Sequence, residues 1–465
     1  MLKKNTHIHF VGIGGIGMSG IAKILAHQGY RISGCDTNLQ QKSVLDLQAF
    51  GCSIYQGNNH ASCDDATIST LVYTSEMNLD HPEIIRARER NIPTISRGVM
   101  LAELTRTKYT IAVAGSHGKT TTTSLLAHIF IEAQTDPTII VGGHLQSISS
   151  NARSGSSDFL ITETDESDRS LLHLYPTIGI LTNIDREHLS LYKNLHEVTT
   201  TFRHFLEKIP FYGKAFVCSD DPQIRSLLPL PNVSVATYGS SSEAEWSYTH
   251  PTLEADKSHY TLLHQGKNKG KVTVNMPGTH NILNSIAALA ASLEAGISFK
   301  QASEALSTFS GVDRRFTFKG TFQGAEVFDD YGHHPTEIEC TMAVARNRTK
   351  NRVILVFQPH RYSRITTLWK EFAHMLATSK ADILLVTDIY SAGETAIPGF
   401  SAEKLTELAN SLNPNIPVTY LPSDEDFMTL RSHLSSLAQN GDVIVLQGAG
   451  NINKIADYLT NNSSI

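Results

Sequence analysis

The sequence lacks the features that mark several classes of protein. No segment approaches the ~18 consecutive apolar residues of a membrane helix, and the first residues lack the apolar stretch of a signal peptide. The cysteines form no CxxC pair, and their odd number predicts reduced thiols in a cytoplasmic protein. The five are Cys35, Cys52, Cys63, Cys218 and Cys340. A net charge of −6 is too small to indicate a nucleic-acid or membrane partner.

The length of 465 residues is too great for one ordinary core and fits about three domains of ~150 residues. Short apolar runs that end in glycine or aspartate alternate with helical stretches, a pattern typical of βαβ units. We predict an α/β protein with domains at 1–107, 108–312 and 313–465. The outer two are expected to be Rossmann-like, with five parallel strands in the last. The central one is expected to be a P-loop ATPase-type parallel sheet with an antiparallel hairpin region between about 214 and 276.

A first glycine-rich turn, residues 12–17, follows an apolar strand and precedes a helix. In that setting backbone N–H groups approach a diphosphate at the helix N-terminus. Asp36, at the end of the next strand, lies where a dinucleotide fold has its ribose-binding acid. Taken alone, the turn indicates a nicotinamide-dependent oxidoreductase, another diphosphate-binding protein, or a tight turn that needs glycine only for packing.

A second glycine-rich turn, residues 115–120, lies between the strand at 111–114 and a helix predicted at 121–132. Its amides and the helix dipole favour phosphate oxygens. Lys119 would supply a charge to the outer phosphates, and the Thr120 hydroxyl would join a Mg²⁺ shell. A complete P-loop has glycine where this chain has Val113, so a chance match stays open. The chemistry of this turn predicts an ATP-dependent ligase.

Acidic and imidazole side chains follow the next two predicted strands, at 162–168 and 182–188. Because Mg²⁺ prefers one or two protein groups beside phosphates and water, Glu163 and His188 are candidate ligands. The alternative is a solvated acidic loop that caps a helix. The residues alone do not decide which acid binds the metal.

Three further clusters lie later in the chain. The segment at 280–281 precedes an alanine-rich helix, where amide groups could contact adenine or merely cap the helix. Arg361 and Arg364 would bring two cations to one side of a helical turn, either for a carboxylate or phosphoryl group or as a solvated basic turn. His333 and His334 have no third ligand at a zinc-like spacing, so a zinc site is not predicted there.

Together and in this order, these motifs resemble those of the Mur ligases of peptidoglycan synthesis, over essentially the whole chain. Residues 12–20 are similar to the family's UDP-binding turn, and residues 115–122 to its shortened phosphate loop, which accounts for Val113. The resemblance implies that ATP phosphorylates the lactyl carboxylate of UDP-N-acetylmuramate and that L-alanine attacks the acyl phosphate. It implies ATP and Mg²⁺ as cofactors, and a cytoplasmic monomer or homodimer with no nucleic-acid or membrane partner.

The resemblance also implies a role for individual residues. Those expected to bind the UDP-sugar are Gly12, Gly14, Gly15, Gly17, Met18, Ser19, Asp36, Ser75 and Tyr331. Those expected to bind ATP are Gly115, Ser116, His117, Gly118, Lys119, Thr120, Thr121, His280, Asn281, Arg315 and Asp330. The expected Mg²⁺ ligands are Thr120, Glu163 and His188. The expected catalytic residues are Lys119, His188, His333, Arg361 and Arg364.

The chain departs from the family pattern at three positions. Glu187, Ser190 and Asn451 stand where aspartate is usual, which weakens the transfer of roles to their neighbours. The general base is not identified by the resemblance. Two other functions also stay open: a ligase that joins a ready-made tripeptide to the same sugar nucleotide, and a regulatory ATP-binding module.

Overall fold

The computed structural model describes residues 6–57, 64–74, 77–187 and 191–461. These residues form three sheets of five, ten and six strands, with helices packed on their faces. The prediction of an α/β protein is therefore confirmed, whereas the domain boundaries at 107 and 312 stay predictions. None of the described helices is long and apolar enough to cross a membrane.

The first sheet is entirely parallel, in the order β3-β2-β1-β4-β5. Its elements are β1 (His7–Val11), α1 (Ile16–His27), β2 (Arg31–Asp36), α2 (Lys42–Ala49), β3 (Ser53–Gln56), β4 (Ile68–Tyr73), α3 (Pro82–Glu89), β5 (Thr94–Ser96) and α4 (Arg97–Thr105). The strand order reverses at β1, and the first glycine-rich turn follows the carboxyl end of that strand. This is where open parallel sheets bind ligands.

The central sheet has the order β15-β14-β13-β12-β11-β10-β6-β9-β7-β8. Its strands are β6 (Tyr109–Ala114), β7 (Thr138–Leu145), β8 (Ser150–Arg153), β9 (Phe159–Glu163), β10 (Ile178–Leu181), β11 (Lys214–Cys218), β12 (Val235–Tyr238), β13 (Trp246–Leu253), β14 (Ser258–His264) and β15 (Lys267–Val274). Its helices are α5 (Lys119–Glu132), α6 (Leu195–Leu206), α7 (Pro222–Leu227), α8 (Thr279–Glu294) and α9 (Phe299–Thr308).

The predicted extent of the antiparallel region was wrong in part. β11 and β12 pair in parallel with their neighbours, and antiparallel pairing in this region involves β13, β14 and β15. β11 is buried along nearly its whole length, as interior strands of a parallel sheet are. A second antiparallel pair, β7 with β8, was not predicted.

The third sheet has the order β16-β17-β21-β18-β19-β20. Its elements are β16 (Thr317–Phe322), β17 (Ala325–Asp330), α10 (Pro335–Arg348), β18 (Val353–Phe357), α11 (Tyr362–Thr367), α12 (Trp369–Ala377), β19 (Ile383–Val386), α13 (Ala402–Leu412), β20 (Val418–Tyr420), α14 (Met428–Leu437), β21 (Val443–Gln447) and α15 (Lys454–Asn461). Five of these strands are the predicted parallel ones. The sixth, β16, is an antiparallel edge strand that was not predicted, because its residues are exposed or half-buried and show no buried run.

The first and central sheets share one continuous hydrophobic core. At their contact, α1 packs against β8, and a Cβ on Gly20 would lie 3.2 Å from the Cβ of Ala152. A Cβ on Gly98 would lie 2.5 Å from the Cβ of Ser170. A Cβ would therefore be tight at Gly20 and would clash at Gly98, because the two domains approach closely there.

The substitution Gly98→Ala is expected to destabilise the protein, although alanine is the better helix former by ~1 kcal/mol. Overpacking against Ser170 costs about 1–3 kcal/mol, and the midpoint of urea unfolding of the full chain would measure the loss. Gly98→Ala should destabilise the Ser170→Gly variant less than it destabilises the parent, because the clashing side chain has been removed. A Gly98→Ala variant more stable than the parent would contradict the close contact.

Candidate active site

The phosphate loop between β6 and α5 depends on two glycines. Gly115 has φ +133° and Gly118 has φ +79°, conformations that other residues rarely adopt. A Cβ on Gly115 would overlap the Thr182 hydroxyl, and one on Gly118 would lie 2.8 Å from Oδ1 of Asn284. The helix α5 begins at Lys119, two residues earlier than predicted, and no side chain caps it. Its first amides are therefore available to a phosphate.

The segment after β10 holds this loop in place. The His117 N–H donates to Oδ1 of Asn183 at 2.8 Å, and the Thr182 hydroxyl donates to the His117 carbonyl at 2.6 Å. The Asp185 N–H donates to the Ser116 hydroxyl at 2.9 Å. The sequence indicated either metal ligands or a solvated acidic loop in this segment. The structure adds that it braces the phosphate loop.

Lys119 lies beside the loop with only 15% of its side chain exposed. Its Nζ donates to the Gly115 carbonyl at 2.6 Å and to Oε2 of Glu166 at 3.1 Å. Burial by itself lowers the pKa of Lys119, but the charges of Glu166 and Asp165 outweigh it and raise that pKa. Lys119 is therefore a cation. The fully buried Glu166 was not predicted as a site residue, since nothing in its local sequence separates it from the neighbouring acids.

Thr120 and Glu163 form the described part of the predicted Mg²⁺ site. The Thr120 hydroxyl hydrogen-bonds to the Glu163 carboxylate, whose Oε2 is buried with no hydrogen-bond partner. Burial raises the pKa of Glu163, although Thr120 and Lys119 act in the opposite direction. A Cβ on Gly142 would overlap this carboxylate. A buried oxygen without a donor suits a hard cation. The third predicted ligand, His188, lies outside the described residues.

The glycine-rich turn of the first domain is stabilised by Asp36. Its carboxylate accepts from the Gly14 N–H at 2.8 Å and from Nε2 of Gln41 at 2.9 Å. Both oxygens of Asp36 therefore engage the protein, and its contact with a ribose stays a prediction. Gly12 has φ +76°, and its N–H donates to the Cys35 carbonyl at 2.9 Å.

The other residues predicted for the UDP-sugar occupy different positions. The side chains of Met18 and Ser19 are buried, whereas Gly15 is exposed. Ser75 lies outside the described residues. Tyr331 packs with residues of the third domain. Among the described members of this set, the structure places the glycine turn, Met18, Ser19 and Asp36 together, and Tyr331 in the third domain.

Arg97 was not predicted, and it lies beside the glycine turn. Its Nη1 would be 2.8 Å from a Cβ on Gly17, in the first turn of α1. Its Nη2 donates to Oδ2 of Asp168 at 2.8 Å. Arg97 therefore connects the N-terminus of α1, a favourable place for anions, to the central domain.

The residues predicted to contact adenine lie at the start of α8. The N-cap is Gly278 and no side chain caps the helix, so neither Thr279 nor Asn281 caps it. Nδ2 of Asn281 donates instead to the Pro277 carbonyl at 2.7 Å. Burial lowers the pKa of His280, which favours its neutral form. The same helix carries Asn284 against the phosphate loop, so these residues approach the nucleotide site.

The third domain contributes an aromatic and histidine cluster. The guanidinium of Arg315 lies 5.5 Å from the ring centre of Tyr331, and the rings of His333 and His360 are 5.8 Å apart. Burial and the charge of Arg364 lower the pKa of His333 to about 4. His333 is therefore neutral near neutral pH and offers an acceptor.

The two arginines predicted for catalysis differ in exposure. Arg364 is largely buried, with Nη1 3.2 Å from Nδ1 of His360 and Nη2 3.6 Å from Oε2 of Glu187. Arg361 precedes α11 with φ +66°, and its side chain is 40% exposed. Arg361 is therefore accessible to a ligand, and Arg364 is fixed within the cluster.

Asp330, predicted to contact ATP, is a centre of structural hydrogen bonds. It accepts from the N–H groups of Phe316 and Gly332, both at 2.8 Å, and from Nε2 of Gln447 at 2.6 Å. These bonds hold the loop that follows β17. A contact of Asp330 with ATP stays a prediction.

The three domains define a class of protein. A phosphate loop with a buried lysine and acid on the central sheet faces an arginine and histidine cluster of the third domain, and a diphosphate-type glycine turn lies in the first. This is the arrangement of a multidomain nucleotide-dependent ligase.

Three family models match the chain in order. They are described as the Mur ligase family catalytic domain, over residues 7–109, the Mur ligase middle domain, over 113–292, and the Mur ligase glutamate ligase domain, over 314–450. The chain belongs to the Mur ligase family, whose members are ATP-dependent ligases of peptidoglycan synthesis.

Individual relatives cover the whole chain. The UDP-N-acetylmuramate–L-alanine ligase of Syntrophotalea carbinolica is 44% identical, over 99% of this chain and 98% of its own. The enzyme of the same name from Geotalea daltonii is 43% identical, with the same coverage. The solved UDP-N-acetylmuramate–alanine ligase of Thermotoga maritima matches with a TM-score of 0.79 and 25% identity, over 98% of each chain. A murein peptide ligase from Psychrobacter arcticus, at 0.70 and 24% over 98% of each chain, shares the fold.

Proposed function

We propose that this chain is a UDP-N-acetylmuramate–L-alanine ligase of peptidoglycan synthesis. The observation that carries the proposal is the phosphate loop, with its buried Lys119, opposite the arginine and histidine cluster of the third domain. Identities of 43–44% over nearly the full length of ligases with that name support the choice of substrates. The family assignment favours this ligase over the nicotinamide-dependent oxidoreductase that the first glycine turn alone would allow.

The proposed reaction makes an amide in two steps. The lactyl carboxylate takes the γ-phosphoryl group of ATP and ADP leaves. The amine of L-alanine then attacks the acyl carbon, and phosphate leaves with the former carboxylate oxygen. Because a carboxylate must approach a triphosphate, like charges have to be neutralised. We assign this task to Lys119 and to the exposed Arg361, with Arg364 fixing the cluster behind it.

We also propose a Mg²⁺ site at Thr120 and Glu163, with His188 as a third ligand. Bound Mg²⁺ would neutralise phosphate charge next to Lys119. The neutral His333 would accept a hydrogen bond from a substrate group. Packing of the third domain over the phosphate loop would keep water from the reacting acyl group.

We propose a monomer or homodimer, which light scattering would distinguish.

Release of ADP is expected to require both UDP-N-acetylmuramate and L-alanine. The assay would compare L-alanine, glycine, L-serine and a free tripeptide as the amine, at saturating ATP and Mg²⁺. L-Alanine should give the highest kcat/KM. A preference for the tripeptide would indicate a recycling ligase, and release that needs no amine would indicate a regulatory ATP-binding module. A parallel titration with UDP and NADH should show binding of UDP only.

A further inference from the structure

The side chain of His117 connects two domains. This residue belongs to the phosphate loop, and its ring is only 13% exposed. Nε2 lies 3.0 Å from Oδ2 of Asp185, in the central domain, and Nδ1 lies 3.4 Å from Oε1 of Glu337, in the third domain. One ring therefore faces a carboxylate on each side of the domain contact.

The ring bears a positive charge in this arrangement. A neutral imidazole donates from one nitrogen only, whereas both nitrogens of His117 face carboxylate oxygens. Burial alone lowers the pKa of His117, but hydrogen bonds to Asp185 and Glu337 raise it to about 10. The His334 ring packs 4.7 Å away, and burial lowers its pKa, so it does not compete for the charge.

The central domain determines where this ring lies. The backbone of His117 is held on both sides by the segment after β10, through the bonds to Asn183 and Thr182 described above. The ring is therefore attached to a fixed point of the phosphate loop, in which Lys119 follows two residues later.

On the other side, Glu337 belongs to the first turn of α10. Its Oε2 accepts from the N–H of His333 at 2.9 Å, while Oε1 faces His117. A second contact runs from the third domain to the central domain: the Thr336 hydroxyl of α10 donates to Oδ2 of Asp185 at 2.8 Å. The same turn that receives the His117 charge therefore also positions His333.

We infer that His117 is a positioning residue whose imidazolium couples the phosphate loop to α10, so that the third domain closes over Lys119 in one defined orientation. This inference rests on the proposed ligase activity. It assigns the side chain of His117 a task separate from the phosphate contacts of the loop backbone. The coupling acts between domains, so its loss should affect steps that need His333 and Lys119 together.

The test is a double-mutant cycle in the full-length protein with His117→Gln, Glu337→Gln and the double variant. Glutamine at 337 can still accept the backbone hydrogen bonds that begin α10, but it lacks the charge. Each single variant is expected to lower kcat/KM for L-alanine by roughly tenfold or more, and the double variant no further, because the two residues act as one unit. Binding of a non-hydrolysable ATP analogue, measured by calorimetry, should change by less than about threefold.

Two further measurements separate coupling from misfolding and from a wrong function. Glu339→Gln, an exposed acid on the same helix, should leave the kinetics unchanged. The radius of gyration from small-angle scattering, with the ATP analogue and UDP-N-acetylmuramate bound, should increase in His117→Gln. Multiplicative effects in the cycle, or an unchanged radius, would overturn the inference. A parent enzyme without L-alanine-dependent ADP release would instead refute the proposed function.

Discussion

Replacement of Lys119 by alanine should lower kcat by at least roughly 10²–10³-fold, which is the effect of removing one preorganised charge-stabilising group from an active site. Its Nζ is the buried cation of the phosphate loop, held by the Gly115 carbonyl and Glu166. The measurement is ADP release at saturating substrates. Lys300→Ala, which removes a lysine that is 83% exposed on α9, is the matched control and should leave kcat unchanged.

The same substitution should leave UDP-N-acetylmuramate binding nearly intact, because the glycine turn for that substrate lies in the first domain. Calorimetry with UDP-N-acetylmuramate checks this directly. Loss of both turnover and binding would show that the assignment of substrates to domains is wrong.

Lys119→Ala should also reduce stability, since it leaves the fully buried Glu166 without its countercharge. Because burial raises the pKa of Glu166 to about 8, the acid takes up a proton when Lys119 is removed, and we expect the loss to lie below the ~3–5 kcal/mol of an uncompensated buried charge. The Lys119→Met, Glu166→Gln double variant removes both charges and should recover most of that loss while remaining inactive. Recovery of folding without activity would separate the catalytic role of Lys119 from its structural one.

The second large effect is expected at Glu163. Glu163→Gln keeps the size of the side chain and an acceptor for the Thr120 hydroxyl, but it removes the charge that we propose for Mg²⁺. We expect kcat to fall by roughly 10²-fold or more, the scale on which removal of one electrostatic group lowers turnover. The Mg²⁺ concentration at half-maximal rate should rise in parallel.

Glu163→Gln should lower kcat, but it should raise the stability of the metal-free protein. The Oε2 atom of Glu163 is buried with no hydrogen-bond partner, and burial raises the pKa of Glu163. In metal-free buffer, the neutral glutamine should therefore raise the midpoint of urea unfolding. Glu132→Gln, at the exposed end of α5, controls for a change in net charge. An unchanged Mg²⁺ dependence in Glu163→Gln would exclude Glu163 as a ligand.

Much of the fold was accessible from the sequence because buried parallel strands are read from local patterns. The runs that became β1, β6 and β18 are mostly apolar and buried, and each leads into a turn rich in chemically active residues. The edge strand β16 and the antiparallel pair β7 and β8 escaped prediction. The buried run at 138–141 in β7 was predicted as a strand, but its antiparallel pairing with β8 depends on neighbours instead of on local hydrophobicity.

Part of the candidate site could also be predicted from the sequence. Glycines with positive φ and a lysine at a helix start are local features, so the loop around Gly118 and Lys119 was visible in the sequence. The partners of that loop were not. Glu166 differs from the acids beside it only in being buried, and the place of Arg97 beside Gly17 follows from the contact between two domains.

The sequence by itself determined the three α/β units, the two phosphate-type turns and the family that their order resembles, because each depends on residues a few positions apart. Only the tertiary structure decided that Asp36 holds its own turn, that Asp330 is a structural centre, and that His117 meets Glu337 across a domain contact. His117 and Glu337 are 220 positions apart in the sequence, and the packing of whole domains brings them into contact. No local sequence pattern predicts such a contact.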